Sequence, residues 1–92
     1  MEKLMKYIDE NTVIHCKTYQ DAVAVLEILY HNGFTWNTGE TYKSTSNYKF
    51  YQSETCYLPI KGVFSRREYF EKKGYTVIDS SKFIRANRLK FD

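Results

Sequence analysis

Four side chains in this sequence are of types that hold transition metals or supply a nucleophile and its base: His15, Cys16, His31 and Cys56. A metal needs several such groups converging on one point, and a nucleophilic site needs a thiol or hydroxyl held by a base that a third group orients. His15 and Cys16 are neighbours in a segment that reads as a strand, so they point to opposite faces. No C-x₂-C or H-x₃-H pair accompanies them, and neither a metal nor another cofactor is expected. His31 falls at the end of a predicted helix, where a protonated imidazole is favoured by the helix dipole. Asp9 and Glu10 lie at another helix end, and Glu68 and Glu71 flank basic residues on a surface helix. With no Walker loop or G-x-G-x-x-G motif either, the expectation is a non-enzymatic protein with no catalytic residues.

What remains is the chemistry of a binding surface. Arg66 and Arg67, with Lys72 and Lys73, belong to one short predicted helix, and Lys82, Arg85 and Arg88 follow at three-residue steps that align on one helical face. Arginine's planar fork suits phosphates and carboxylates. Trp36, Tyr42, Tyr48 and Tyr51 are candidate stacking faces for bases or anchors for a protein partner. Each has a structural alternative: Trp36 as a core residue, and Arg85 and Arg88 as solvated groups or as ion-pair partners of Asp79 or Asp92.

The chain has 92 residues, enough for one domain spanning 1–92. A domain of this size buries only ~60–70% of the surface its unfolded chain exposes, so few apolar residues can be spared for display. The aromatic fraction is nevertheless 17%, with nine tyrosines against one proline, and tyrosine suits half-buried strands and binding surfaces equally. Residues 1–60 hold five Lys/Arg and seven Asp/Glu, net −2, whereas residues 61–92 hold nine and four, net +5. The C-terminal third is therefore a candidate for meeting an anionic partner. Cys16 and Cys56 read as small buried hydrophobes. With no signal-like segment and no apolar run of membrane length, a reduced, cytoplasmic protein with no membrane partner is expected.

The elements that must position these residues read as follows. Residues 1–11 form a short N-terminal helix with Leu4, Met5 and Ile8 at helical spacing. "TVIHCK" is a strand with Val13, His15 and Lys17 on one face and Ile14 and Cys16 on the other. Thr18 and Asp21 cap a helix of about 13 residues carrying Ala22, Val23, Val25, Leu26, Leu29 and Tyr30, and Gly33 stops it. Phe34 and Trp36 begin a strand, residues 38–54 form a polar, tyrosine-rich loop entering another at "YKFY", and "TCYLPI" is a further strand whose Pro59 marks an edge or an end. Ser65 with Glu68 reads as a capping box for "RREYFEKK", which Gly74 closes. "YTVID" is a strand, and residues 80–92 make a basic helix or tail. "LYHNGFTW" and "FEKKGYTV" thus align as helix end, glycine stop, aromatic and strand. The fold class is α+β: a small sandwich with a mixed or antiparallel sheet of about 4–5 strands and two to three helices mainly on one face.

The pattern "VIHCKTYQDAVAVLEILYHNGFTWNTGE", with "CYLPI" and "KKGYTVID", resembles small phage and prophage accessory proteins over most of residues 12–79. The resemblance implies an anti-defence context, as an anti-CRISPR-like inhibitor or a sponge for nucleotide signals, and assigns no residue role. The leading expectation is a binding protein that inhibits a host antiviral or nucleic-acid-handling component by occupying a protein surface, through residues 38–54 and the C-terminal arginines. The alternative is sequestration of a cyclic or phosphorylated nucleotide, with Trp36 or a tyrosine on the base, Arg85 or Arg88 on phosphate, and a pocket formed in a homo-oligomer. Direct nucleic-acid binding ranks third, because the net charge is only +3.

Overall fold

A computed structural model describes residues 6–43 and 46–87. Four strands, β1 (Thr12–Cys16), β2 (Thr55–Leu58), β3 (Val63–Arg66) and β4 (Thr76–Asp79), form one mixed sheet in the order β3-β2-β1-β4. The central strand β1 pairs antiparallel with β2 and parallel with β4, placing His15 opposite both Cys56 and Asp79. Helices α1 (Tyr19–His31) and α3 (Ser80–Asn87) cover one face, and the shorter α2 (Arg67–Lys72) packs on the other. The result is an α+β domain, as expected from the order of elements.

Strand alternation sorts the core into two clusters. Ile14, Cys16, Tyr57 and Ile78 face α1 and α3, where they meet Val25, Leu26, Leu29 and Phe83. Val13, Cys56 and Leu58 face α2 and surround Phe70.

Thr18 caps α1 by accepting a hydrogen bond from the Asp21 amide at 3.0 Å. At the other end the Gly33 amide donates to Tyr30 O and the Phe34 amide to Leu29 O, the paired bonds of a Schellman stop. Helix α2 ends identically: Gly74 donates to Glu71 O and Tyr75 to Phe70 O, with the Tyr75 and Phe70 rings 5.2 Å apart. The repeated glycine-aromatic phrase is therefore a repeated helix terminator. Asp79 caps α3 by accepting from the Ser81 amide and hydroxyl, and both hold its carboxyl below the usual range.

Several local expectations are corrected. Residues 6–11 make turns and a bend, and the rest of the expected N-terminal helix lies outside the described residues. Phe34–Trp36 forms no strand; a single bridge joins Thr35 to Thr41, and the loop between them is closed by Trp36 N donating to Glu40 O. "YKFY" is a 3₁₀ turn at Tyr48–Phe50 followed by a second at Gln52–Glu54. Asn47 and Gln52 take positive φ, which breaks any extended run there. Ser65 does not cap α2, because it is spent in β3, paired with Cys56; the helix begins at Arg67.

The β2–β3 connection contains the tightest contact. Gly62 has φ +66, accepts a hydrogen bond from the Asn37 amide, and lies so close to residues 35–37 that an added Cβ would sit 2.5 Å from Asn37 N and 2.6 Å from Thr35 O. Gly33, by contrast, has open space around it. Gly62→Ala is expected to cost about 2–4 kcal/mol, roughly 10–20 °C in Tm for a domain of this size. Gly33→Ala should cost about 1 kcal/mol, because only the left-handed backbone is penalised; thermal melts of the two variants check the difference. Asp79→Ala should cost about 1 kcal/mol near neutral pH. Because the folded-state pKa is lowered, this contribution is present above the unfolded value near ~4 and fades as pH falls through the folded one. Urea titrations of wild type and variant should therefore converge in acid.

Candidate binding surfaces

The polar segment 46–54 is held against the sheet by three long-range hydrogen bonds. Tyr48 Oη donates to Lys17 O at 2.6 Å, Tyr57 Oη donates to Ser46 O at 2.6 Å, and His15 Nε2 lies 2.7 Å from Ser53 O. The last bond requires the proton on Nε2, leaving Nδ1 to accept from the Arg67 guanidinium at 3.4 Å, while Arg67 Nε donates to Glu71 at 2.9 Å. His15 is thus a buried bracket between the loop and α2.

Fastened in this way, the segment presents two surfaces. On one side Tyr48 meets Tyr19 edge-on at 5.9 Å, and a cleft of about 600 Å³ opens among Lys17, Tyr19, Asn47, Tyr48, Lys49 and Gln52. A second groove of about 300 Å³ shares Tyr19 and Ser46 with it and runs along α1 past Val23, Leu26 and Tyr30. On the other side Phe50, 59% exposed, leans on Phe64 at 6.0 Å beneath the Lys49 ammonium. Tyr51 lies beside it against Phe64, with the Arg66 guanidinium 5.2 Å from its ring. Both guanidinium and ammonium are placed for cation–π attraction.

The residues singled out from the sequence divide accordingly. Tyr48, Tyr51 and Arg66 are brought together around segment 46–54. Trp36 and Tyr42 are corrected to core residues: each is about 5% exposed, their rings meet at 4.6 Å, and Trp36 also touches Phe64 and Tyr57. The closed loop after Trp36 turns the indole inward. Burial also pushes the Tyr42 phenol up to about 12. Arg67 is engaged with Glu71 and His15 on the opposite face of the sheet. Lys82 lies over Tyr7 at 5.3 Å, Arg85 is exposed on α3, and Arg88 lies outside the described residues. Lys17, Tyr19, Lys49, Phe50 and Gln52 were not singled out. The one available signal was Tyr19 and Lys17 flanking the Thr18 cap, which places both at a strand-to-helix junction.

Cys16 and Cys56 are free and buried on opposite faces of the sheet. Burial raises both thiols, Cys56 to about 12 even with Arg67 drawing it down. Among the described residues there is no group of three or more His, Cys, Asp or Glu able to hold a metal ion, and no helix long and apolar enough to cross a membrane. No protein-family model, curated protein or solved structure matches the chain.

Neither thiol should react with an aromatic disulfide reagent in the folded protein, because the protonated, buried sulfur is not a nucleophile. Both should react in denaturant; one fast-reacting equivalent in the native state would contradict their burial.

Proposed function

We propose that this chain is a small non-enzymatic binding protein that acts by occupying the surface of another protein. Its partner, in the anti-defence setting that its sequence resembles, is a host antiviral or nucleic-acid-handling component. The observation that supports this reading best is the exposed Phe50 ring with Tyr51 and Arg66 beside it. A domain this small has little apolar area to spare, and here two aromatics, an arginine and Lys49 are gathered at one place instead of scattered. Aromatic and arginine clusters are the usual centres of protein interfaces. A cleft of about 370 Å³ between Phe50, Tyr51 and Arg66, bordered by Glu54 and Glu68, gives the surface relief for a partner side chain.

The arrangement of basic residues favours a protein partner over a nucleic-acid backbone. A phosphate-tracking surface needs cations free and aligned. Here Arg67 pairs with Glu71, Lys72 with Glu68, and Lys73 and Lys82 lie over tyrosine rings, on elements packed against both faces of the sheet.

Joint replacement of Phe50, Tyr51 and Arg66 by alanine tests the face. The wild-type chain is expected to raise phage plating on a host carrying an active CRISPR system, and the triple variant to lose that effect by at least about tenfold, equivalent to ~1.4 kcal/mol of binding. Circular dichroism and a cooperative melt should show that the variant is folded. Full activity in a folded triple variant would overturn the assignment of this face.

A further inference from the structure

The cleft on the opposite side of segment 46–54 has a chemistry of its own. Lys17 enters it from the end of β1 and Lys49 from the first 3₁₀ turn, and among the described residues no carboxylate lines it. Neither ammonium has an ion-pair partner among the described residues, although residues 1–60 are net acidic. Lys17 and Lys49 come from separate segments and border one concavity. The Lys49 ammonium rests over the Phe50 ring at 5.5 Å, held there by no carboxylate, and turned to the cleft it completes with Lys17 a receptor for a compact polyanion.

Three further features define what accompanies the anion. Tyr19 stands at the rim with 56% of its surface exposed, supported edge-on by Tyr48 so that a ring face remains open. It also lines the neighbouring groove of Val23, Leu26, Tyr30 and Tyr42, so the cationic cleft continues directly into one with aromatic and apolar walls, bordered by Glu27 and Lys43. The Gln52 amide, on the cleft wall, supplies a donor and an acceptor. A molecule that is anionic at one end, planar at the other and polar at its ring edge matches this sequence of surfaces.

The walls are set before any ligand arrives. Tyr48 is tied to Lys17 O and Ser53 to His15, and Gln52 is held at φ 48, a left-handed conformation costly for a residue other than glycine. Preorganisation of this kind lowers the ordering cost that otherwise weakens small-ligand binding.

We propose that this cleft binds a phosphorylated nucleoside, with its phosphates between Lys17 and Lys49 and its base on the open face of Tyr19. Lys49 and Gln52 border both this cleft and the Phe50 face, but that face is tested through Phe50, Tyr51 and Arg66 by phage plating and the cleft by nucleotide titration, so each stands or falls separately.

The test is an amide-resolved NMR titration of the intact chain with ATP, a cyclic dinucleotide, inorganic pyrophosphate and adenosine, with affinities from calorimetry. A nucleotide should shift the amides of residues 17–19 and 46–53. The double variant Lys17→Gln/Lys49→Gln should weaken nucleotide and pyrophosphate alike by about tenfold or more, and Tyr19→Ala should weaken the nucleotide by about fivefold or more while leaving pyrophosphate unchanged. All three side chains are exposed, and the dispersion of the spectra reports directly whether each variant is folded. Absence of shifts with both nucleotides, or nucleotide affinity indifferent to loss of the two lysines, would overturn the proposal. Pyrophosphate binding as tightly as ATP, with Tyr19→Ala without effect, would overturn the nucleoside part and leave a bare anion site.

Discussion

Trp36 reaches the core because the backbone on either side of it lies directly against Gly62, and much of the molecule is arranged around that approach. The Asn37 amide bonds to Gly62 O, and the space a Cβ would take at position 62 is filled by backbone atoms of Thr35, Trp36 and Asn37. With the chain held there, the indole sits under β2 and β3 and becomes the hub of a ring cluster with Tyr42, Tyr57 and Phe64. Edge-on aromatic pairs contribute beyond their buried area, by ~0.5–1.5 kcal/mol each. Tyr42 in turn anchors the chain entering the polar segment, and Phe64 supports Phe50 and Tyr51 leaving it.

The same contact explains how a long polar stretch becomes ordered. A loop of this length loses much conformational entropy on fixing, and its own apolar content is too small to offset that. Tyr57 from β2 and His15 from β1 reach its backbone at Ser46 O and Ser53 O, and its own Tyr48 hydroxyl reaches back to Lys17 O, so the loop is tied to the sheet at three points. Two of these bonds depend on side chains from different strands and the third on the backbone just past β1. Both proposed surfaces are therefore carried by a segment that is rigid because of the sheet behind it, which is the usual division between scaffold and contact loop.

Elements whose stability is local were the legible ones. The Thr18 cap and the stops at Gly33 and Gly74 depend on hydrogen bonds within a few residues, so sequence spacing was enough to locate them. Alternation in "TVIHC" correctly separated Val13 from Ile14 and Cys16. Strand β3, reading "VFSR", carries too little pattern to be seen as a strand; it is one because β2 offers a ladder from Thr55 to Leu58. "YKFY" has the opposite history, since its β-forming residues find no neighbouring strand and fold as a 3₁₀ turn. The candidate sites were legible only in part. Tyr48, Tyr51 and Arg66 could be named from composition, and Phe50 and Phe64 lie beside them in sequence, but what joins segment 46–54 to Phe64, Arg66, Lys17 and Tyr19 is pairing between segments more than ten residues apart.

By itself the sequence determined the α+β class, the extent of the long helix, its two-ended capping and the burial of both cysteines, because each follows from periodicity, from residue type or from chain geometry over a single turn. Only the tertiary structure decided that Trp36 and Tyr42 turn inward while Phe50 and Tyr19 turn out. An aromatic ring has the same propensity in either place, and what selects between them is whether another segment arrives to cover it. For Trp36 that covering is arranged by Gly62, twenty-six residues downstream, through a contact that no local pattern records.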